Sequence, residues 1–181
     1  MLFLRREMSS PILLVTGAVG AGKTTALARL VQEWRTSGRD VRGLLAHRVV
    51  EGGRTVGYDL EVVGETTHSV LARRKGIGIE QAGPFTFSDE ALVRGRQALR
   101  NAVSAEIVVV DEVGPLELRG GGWAREVEEL LRESEAIVIL VVRKQLQKQV
   151  VQWLTRFERP IHSLRFEELA RSDIVAMISR L

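Results

Sequence analysis

The chain of 181 residues contains no cysteine, which excludes a disulfide framework, a thiolate metal site and a cysteine nucleophile. No apolar run approaches the ~20 residues that a membrane span needs. Lysine is scarce: of 26 basic residues only Lys23, Lys75, Lys144 and Lys148 are lysines, which leaves 22 arginines. The net charge of +3 is too small and too dispersed to suggest a nucleic-acid partner. Arg73-Arg74-Lys75 is the only basic run, and it reads as a solvated helix end. His47, His68 and His162 lie too far apart in sequence to suggest a metal cluster. The apolar stretch at Met1–Leu4 is too short for a signal peptide. Met8-Ser-Ser-Pro11 would itself serve as a start, so residues 1–10 read as an extension, flexible over 1–7, ahead of a single domain over 11–181. A cytoplasmic location is expected.

Hydrophobic residues make up 45% of the chain and charged residues 27%, the balance of a chain with a real core. Pro11–Thr16 is a short β-rich apolar run followed by glycines, which predicts a buried parallel strand. A helix follows from Thr24 to about Trp34, with Leu27, Leu30, Val31 and Trp34 at helical spacing. Val41–Ala46 reads as a second strand, and residues 47–63 as a β-hairpin turning at Gly52-Gly53. Residues 65–75 predict a short helix, and 76–87 a glycine-rich loop ending in a strand at Pro84–Phe87. Ser88 is placed to cap a helix running to about Val103, with Asp89 and Glu90 in its first turn. Strands at Glu106–Asp111, Ala136–Val142 and near Ile161–Phe166 alternate with helices at Trp123–Glu133, Gln145–Phe157 and Glu167–Arg180. That alternation predicts an α/β three-layer sandwich: a mostly parallel sheet covered on both faces, with the hairpin as the one antiparallel insertion.

Two motifs carry chemistry. Gly17-Ala-Val-Gly-Ala-Gly-Lys23-Thr24 matches G-x-x-x-x-G-K-[ST], between a predicted strand and a predicted helix, the context the motif requires. Glycines let successive backbone N–H groups converge on a phosphate, completed by the helix N-terminus. Gly17, Ala18, Val19, Gly20, Ala21, Gly22, Lys23, Thr24 and Thr25 are therefore the candidate nucleotide-binding residues. Lys23 is expected to reach the β- and γ-phosphates of a nucleoside triphosphate, and the Thr24 hydroxyl to ligate Mg²⁺. The second motif is the buried strand ending in Asp111-Glu112. Asp111 can reach the Mg²⁺ shell from the opposite side. Glu112, expected to point elsewhere because side chains alternate along a strand, can orient and deprotonate a water for in-line attack. Asp111-Glu-Val-Gly114 also satisfies D-x-x-G. Asn101, the only asparagine, is followed by Ala-Val-Ser, so the Asn-Lys-x-Asp segment that reads guanine is missing and loose base selectivity is expected.

Taken together, Gly17–Thr25, the segment Arg48-Val-Val-Glu-Gly-Gly-Arg-Thr-Val-Gly-Tyr-Asp59 and Asp111-Glu-Val-Gly-Pro-Leu-Glu-Leu118 resemble the small thermophilic nucleoside-triphosphatase family, over roughly residues 11–145. The resemblance implies a P-loop fold similar to recombinase-type ATPases and slow, Mg²⁺-dependent hydrolysis of ATP, GTP and other nucleoside triphosphates. It assigns nucleotide and metal roles to Lys23, Thr24, Asp111 and Glu112. It also makes Arg48 and Arg54 on the hairpin the first candidates for the cation that neutralises charge on the transferring phosphoryl group. Arg143, at the end of a parallel strand, is a third candidate on geometry alone. Two departures are visible: Pro115 stands where the family usually has lysine, and Gly120-Gly-Gly-Trp123 is not a family feature. A nucleotide or nucleoside kinase, and a nucleotide-gated adapter working with a protein partner, are the alternatives; oligomeric state is not legible.

Overall fold

A computed structural model describes residues 10–18 and 20–169. The expected N-terminal extension over 1–9, Val19 of the phosphate loop and the last helix beyond Leu169 lie outside the described residues. Nine strands form one sheet: β1 (Ile12–Gly17), β2 (Val41–Glu51), β3 (Arg54–Val62), β4 (His68–Arg73), β5 (Gln81–Ala82), β6 (Phe85–Phe87), β7 (Ile107–Val113), β8 (Ile137–Arg143) and β9 (Ile161–Arg165), in the order β5-β6-β4-β3-β2-β7-β8-β1-β9. The helices are α1 (Lys23–Thr36), α2 (Asp89–Arg100), α3 (Ala124–Glu133), α4 (Gln147–Leu154) and a short α5 (Phe166–Leu169), with single 3₁₀ turns around them.

Alternation along the strands sorts the core into two layers. Leu13, Val15, Val109, Ile139 and Val141 face α1 and pack with Leu27, Leu30, Val31 and Trp34. Their neighbours Ile12, Leu14, Val108, Val110, Val138 and Leu140 face the opposite way, toward α2, α3 and α4. Both sets are buried, which is why β1, β7 and β8 read as continuous apolar runs. Strands β2, β7, β8, β1 and β9 are parallel, with Leu14 beside Leu140 on one side and Ser163 on the other. This three-layer arrangement directs the C-terminal ends of β1, β2, β7 and β8 to one edge, where ligands bind in open α/β sheets.

The antiparallel part is larger than the sequence predicts. Residues expected to form a helix over 65–75 instead form β4, paired with β3 from Gly57 opposite Arg73 to Glu61 opposite His68. Helix propensity in Leu-Ala-Arg-Arg-Lys yields here to tertiary pairing. The Arg73 guanidinium donates to the Tyr58 carbonyl at 2.8 Å and to Asp59 at 2.7 Å, so this arginine fastens strands rather than solvating a helix end. A register shift between Tyr58 and Asp59 places both Leu71 and Ala72 in the core beneath α2. Strands β5 and β6 then extend the same antiparallel sheet. The Gly52-Gly53 turn stands as expected, with positive φ at both residues. Ser88 caps α2 through the Ala91 N–H at 3.2 Å, and the helix ends at Arg100 rather than Val103. The helix expected over 145–157 is divided, with α4 flanked by 3₁₀ turns. None of the described helices is long and apolar enough to cross a membrane.

Candidate active site

The edge formed by the parallel strand ends holds a cleft of about 320 Å³. Gly17 closes β1, and the chain turns through Gly20 and Gly22, both at positive φ, to enter α1 at Lys23. No side chain caps the α1 N-terminus, which leaves its first N–H groups for a ligand. Lys23 is only 8% exposed. Its ammonium donates to the Ala18 carbonyl at 2.7 Å and the Gly17 carbonyl at 3.3 Å, and makes no ion pair among the described residues. A buried cation held by neutral carbonyls is a half-built anion site. Gly20, Gly22, Lys23, Thr24 and Thr25 line the cleft; Gly17, Ala18 and Ala21 shape the loop behind it.

Across the cleft, β7 delivers Asp111 and Glu112. The Thr24 hydroxyl donates to Asp111 Oδ2 at 2.5 Å, so the two expected metal ligands are already together. Burial pushes the Asp111 carboxyl up to about 6, against the Thr24 hydrogen bond, and the neighbouring Glu112 charge pushes the same way. Asp111 pairs with Val141 and Val113 with Val142, which leaves Glu112 as an extra residue in the ladder. Such a bulge re-aims a side chain. It corrects the expectation that Glu112 points elsewhere: both carboxylates line the cleft.

Arg143, at the end of β8, clamps Glu112. Its Nε and a terminal nitrogen lie 2.7 and 2.5 Å from Glu112 Oε1. Partial burial lowers the guanidinium's pKa, but the Glu112 charge and hydrogen bond outweigh it and the net shift is upward. The other Glu112 oxygen has no partner among the described residues. Arg48 lines the same cleft from β2, so close to the phosphate loop that a β-carbon on Gly20 would lie 3.2 Å from its guanidinium. Arg54 does not join them: it is exposed at the start of β3, at the hairpin tip, and does not line the cleft.

Sequence reasoning passed over three residues. Tyr58 sits opposite Arg48 in the hairpin and lines the cleft beside Arg143 and Glu112; burial raises the pKa of its phenol. Trp123, at the start of the helix expected over Trp123–Glu133, packs its indole against Gly95 and also lines the cleft. Glu117 is 6% exposed and accepts from the Gly114 N–H at 2.9 Å and the Trp123 N–H at 3.4 Å, tying together both ends of the 114–123 loop. The Glu at the end of Asp-Glu-x-Gly-x-x-Glu was the available signal for it. His47 and His68, too distant in sequence to suggest a cluster, meet across β2, β3 and β4 with Glu61 between them.

Burial pushes the Glu117 carboxyl from 4.5 to about 7, against the Gly114 and Trp123 N–H groups. The raised folded-state pKa means the native chain holds this proton where the unfolded chain has released it. Stability from this group is therefore full below pH 4.5 and falls as pH rises toward 7, by up to about 3 kcal/mol. Thermal unfolding of Glu117→Gln across that range is expected to show a flatter pH dependence than the parent; an unchanged slope would contradict it.

The fold and cleft define a P-loop nucleotide-binding protein. The chain belongs to the NTPase family, which matches it over residues 12–177. It is 32% identical over 161 residues to nucleoside-triphosphatase THEP1 of Thermococcus kodakarensis, covering 84% of each chain. It is 28% identical to the same-named protein of Methanosarcina acetivorans, over 91% of this chain and 93% of that one. Among solved structures, that of a human cancer-related nucleoside triphosphatase superposes with a TM-score of 0.69 at 22% identity, over 94% of this chain and 98% of that one. THEP1 from Aquifex aeolicus superposes with a TM-score of 0.63 at 18% identity, over 93% and 99% of the two chains. Both share its fold.

Proposed function

We propose that this chain hydrolyses nucleoside triphosphates to the diphosphate and phosphate, with little preference for the base. The observation that carries this reading is Lys23: a buried ammonium hydrogen-bonded, among the described residues, only to loop carbonyls, at an uncapped helix start, facing Asp111 and Glu112. The loop amides and Lys23 hold the β- and γ-phosphates and stabilise negative charge as the terminal bond breaks. Thr24 and Asp111 are hard oxygen donors 2.5 Å apart and suit Mg²⁺. Burial disfavours the Asp111 anion, a cost that a divalent cation offsets. When bound, Mg²⁺ neutralises charge on the β- and γ-phosphate oxygens.

Glu112 is the proposed base. Arg143 occupies one of its oxygens and fixes its orientation; the other accepts a proton from water as the water oxygen bonds to the γ-phosphorus. The bond from phosphorus to the β-phosphate oxygen breaks in line, and the electron pair leaves with the nucleoside diphosphate. Engaged with Glu112, Arg143 is a positioning residue, and Arg48 is the proposed cation for the γ-phosphate. Soluble, cytoplasmic activity suits a chain with no cysteine.

Phosphate and nucleoside diphosphate are expected in equal amounts from ATP, GTP and CTP with Mg²⁺ and no acceptor. Product formation only after a phosphate acceptor is added would overturn hydrolysis and favour a kinase. A rate that rises steeply with a second protein would favour the adapter reading. Arg48→Ala is expected to lower kcat on the order of 10- to 100-fold, below the full arginine-finger effect because the side chain is solvent-exposed. Arg54→Ala is expected to leave kcat within about twofold. The reverse ranking would move the role to the hairpin tip.

A further inference from the structure

The antiparallel extension carries a second cluster, separate from Thr24 and Asp111. His47 on β2, Glu61 on β3 and His68 on β4 present one ligand atom each, all within 4.8 Å of one another. His68 lies directly opposite Glu61 in the ladder. His47 lies diagonal to it, because Leu45 is the residue paired with Glu61. Alternation sets His47 and Glu61 on the face that buries Leu45 and Val63 against α1. Both imidazole Nε2 atoms converge on the same carboxylate oxygen, Glu61 Oε2, at 2.5 Å from His47 and 3.5 Å from His68. The rings lie parallel, 5.0 Å apart and inclined by 7°. A hydrogen-bonded His–Glu pair needs one histidine; here a second is brought to the same oxygen.

We propose that His47, Glu61 and His68 form a binding site for a first-row divalent transition ion of the zinc class. Two imidazole nitrogens and one carboxylate oxygen are the donor set of three-ligand zinc sites that keep a fourth position for water. Imidazole donors select against Mg²⁺, which takes oxygen ligands. Bond lengths near 2.1 Å put tetrahedral ligand atoms about 3.4 Å apart. The His68–Glu61 spacing of 3.5 Å meets that already, and the His47–Glu61 spacing of 2.5 Å has to open. The side chains are only partly buried, at 31%, 23% and 49% exposure for His47, Glu61 and His68, so they have room to move and a route to solvent. An ion there joins three adjacent strands, two of which place Arg48 and Tyr58 in the cleft. The site thereby steadies the wall of the cleft without taking part in its chemistry, and it stands whether or not the cleft hydrolyses nucleotide.

The test is a Co²⁺ titration of the untagged, nucleotide-free chain in excess Mg²⁺, which fills the hard-oxygen site. One Co²⁺ per chain with the intense visible absorption of four-coordinate nitrogen and oxygen ligation is expected, displaced by one equivalent of Zn²⁺. His68→Ala and Glu61→Gln, both at partly exposed positions, are each expected to weaken binding by tenfold or more, and Zn²⁺ is expected to raise Tm in the parent but not in His68→Ala. Acidification releases the ion, because imidazole ligates only when neutral. Absence of Co²⁺ binding in excess Mg²⁺, or equal binding by His68→Ala, would overturn the site.

Discussion

Glu112→Gln is expected to lower the rate of phosphate release roughly 10²–10⁴-fold, the contribution of a well-placed general base, while nucleotide affinity stays within a few-fold. The substitution is informative because it is nearly isosteric. A glutamine carbonyl still accepts from Arg143 at the position of Glu112 Oε1, where the guanidinium nitrogens now lie 2.5 and 2.7 Å away. The bulge that turns residue 112 into the cleft is a backbone feature and is kept. What is lost is the free oxygen that accepts the proton of the attacking water. The effect therefore falls on kcat, and a bound, uncleaved triphosphate should accumulate. A variant that retains near-parental turnover would remove Glu112 from the chemistry and pass the role to Asp111 or Glu117, the other carboxylates among the described residues that line the cleft.

Lys23→Ala is expected to reduce kcat/KM by roughly 10²–10⁴, taking two charge-assisted contacts at ~1.5–3 kcal/mol each. Here affinity and turnover both fall, because Lys23 contacts phosphates in the ground state and more strongly as charge develops. Without nucleotide the same change should leave stability nearly unchanged or raise it. The ammonium is buried, and among the described residues it hydrogen-bonds only to carbonyls and makes no ion pair, so its desolvation is only partly offset and removing the charge relieves it. Loss of activity together with an unaltered melting temperature separates a binding defect from a folding defect. Weak activity in a destabilised variant would contradict this account of Lys23.

The placement of the phosphate loop and of Asp111 was more legible than the strand pairing. The phosphate loop is local: its spacing, the preceding strand and the following helix lie within one stretch of chain, so Gly17 to Thr25 could be read in order. Asp111 at a buried strand end was legible for the same reason. What the sequence concealed were bulges. A regular hairpin closed by Gly52-Gly53 would place Tyr58 opposite His47; the shift between Val49 and Val50 places it opposite Arg48 instead. One extra residue at Glu112 turns that carboxylate toward the cleft, and another near Leu71 buries two consecutive side chains. Each is a one-residue insertion whose effect is to reverse a face. The helix expected over 65–75 failed because β4 is held by partners distant in sequence, Tyr58 and Asp59. That error also hid the approach of His68 to His47, which requires β4 to lie beside β3.

The central claim is that water, ordered by Glu112, attacks the γ-phosphorus. It is tested most directly by hydrolysis of ATP in ¹⁸O-enriched water with Mg²⁺, with both products analysed by mass. The account predicts one solvent-derived oxygen in each released phosphate and none in the ADP. Solvent oxygen in the ADP, or released phosphate carrying none, would contradict it.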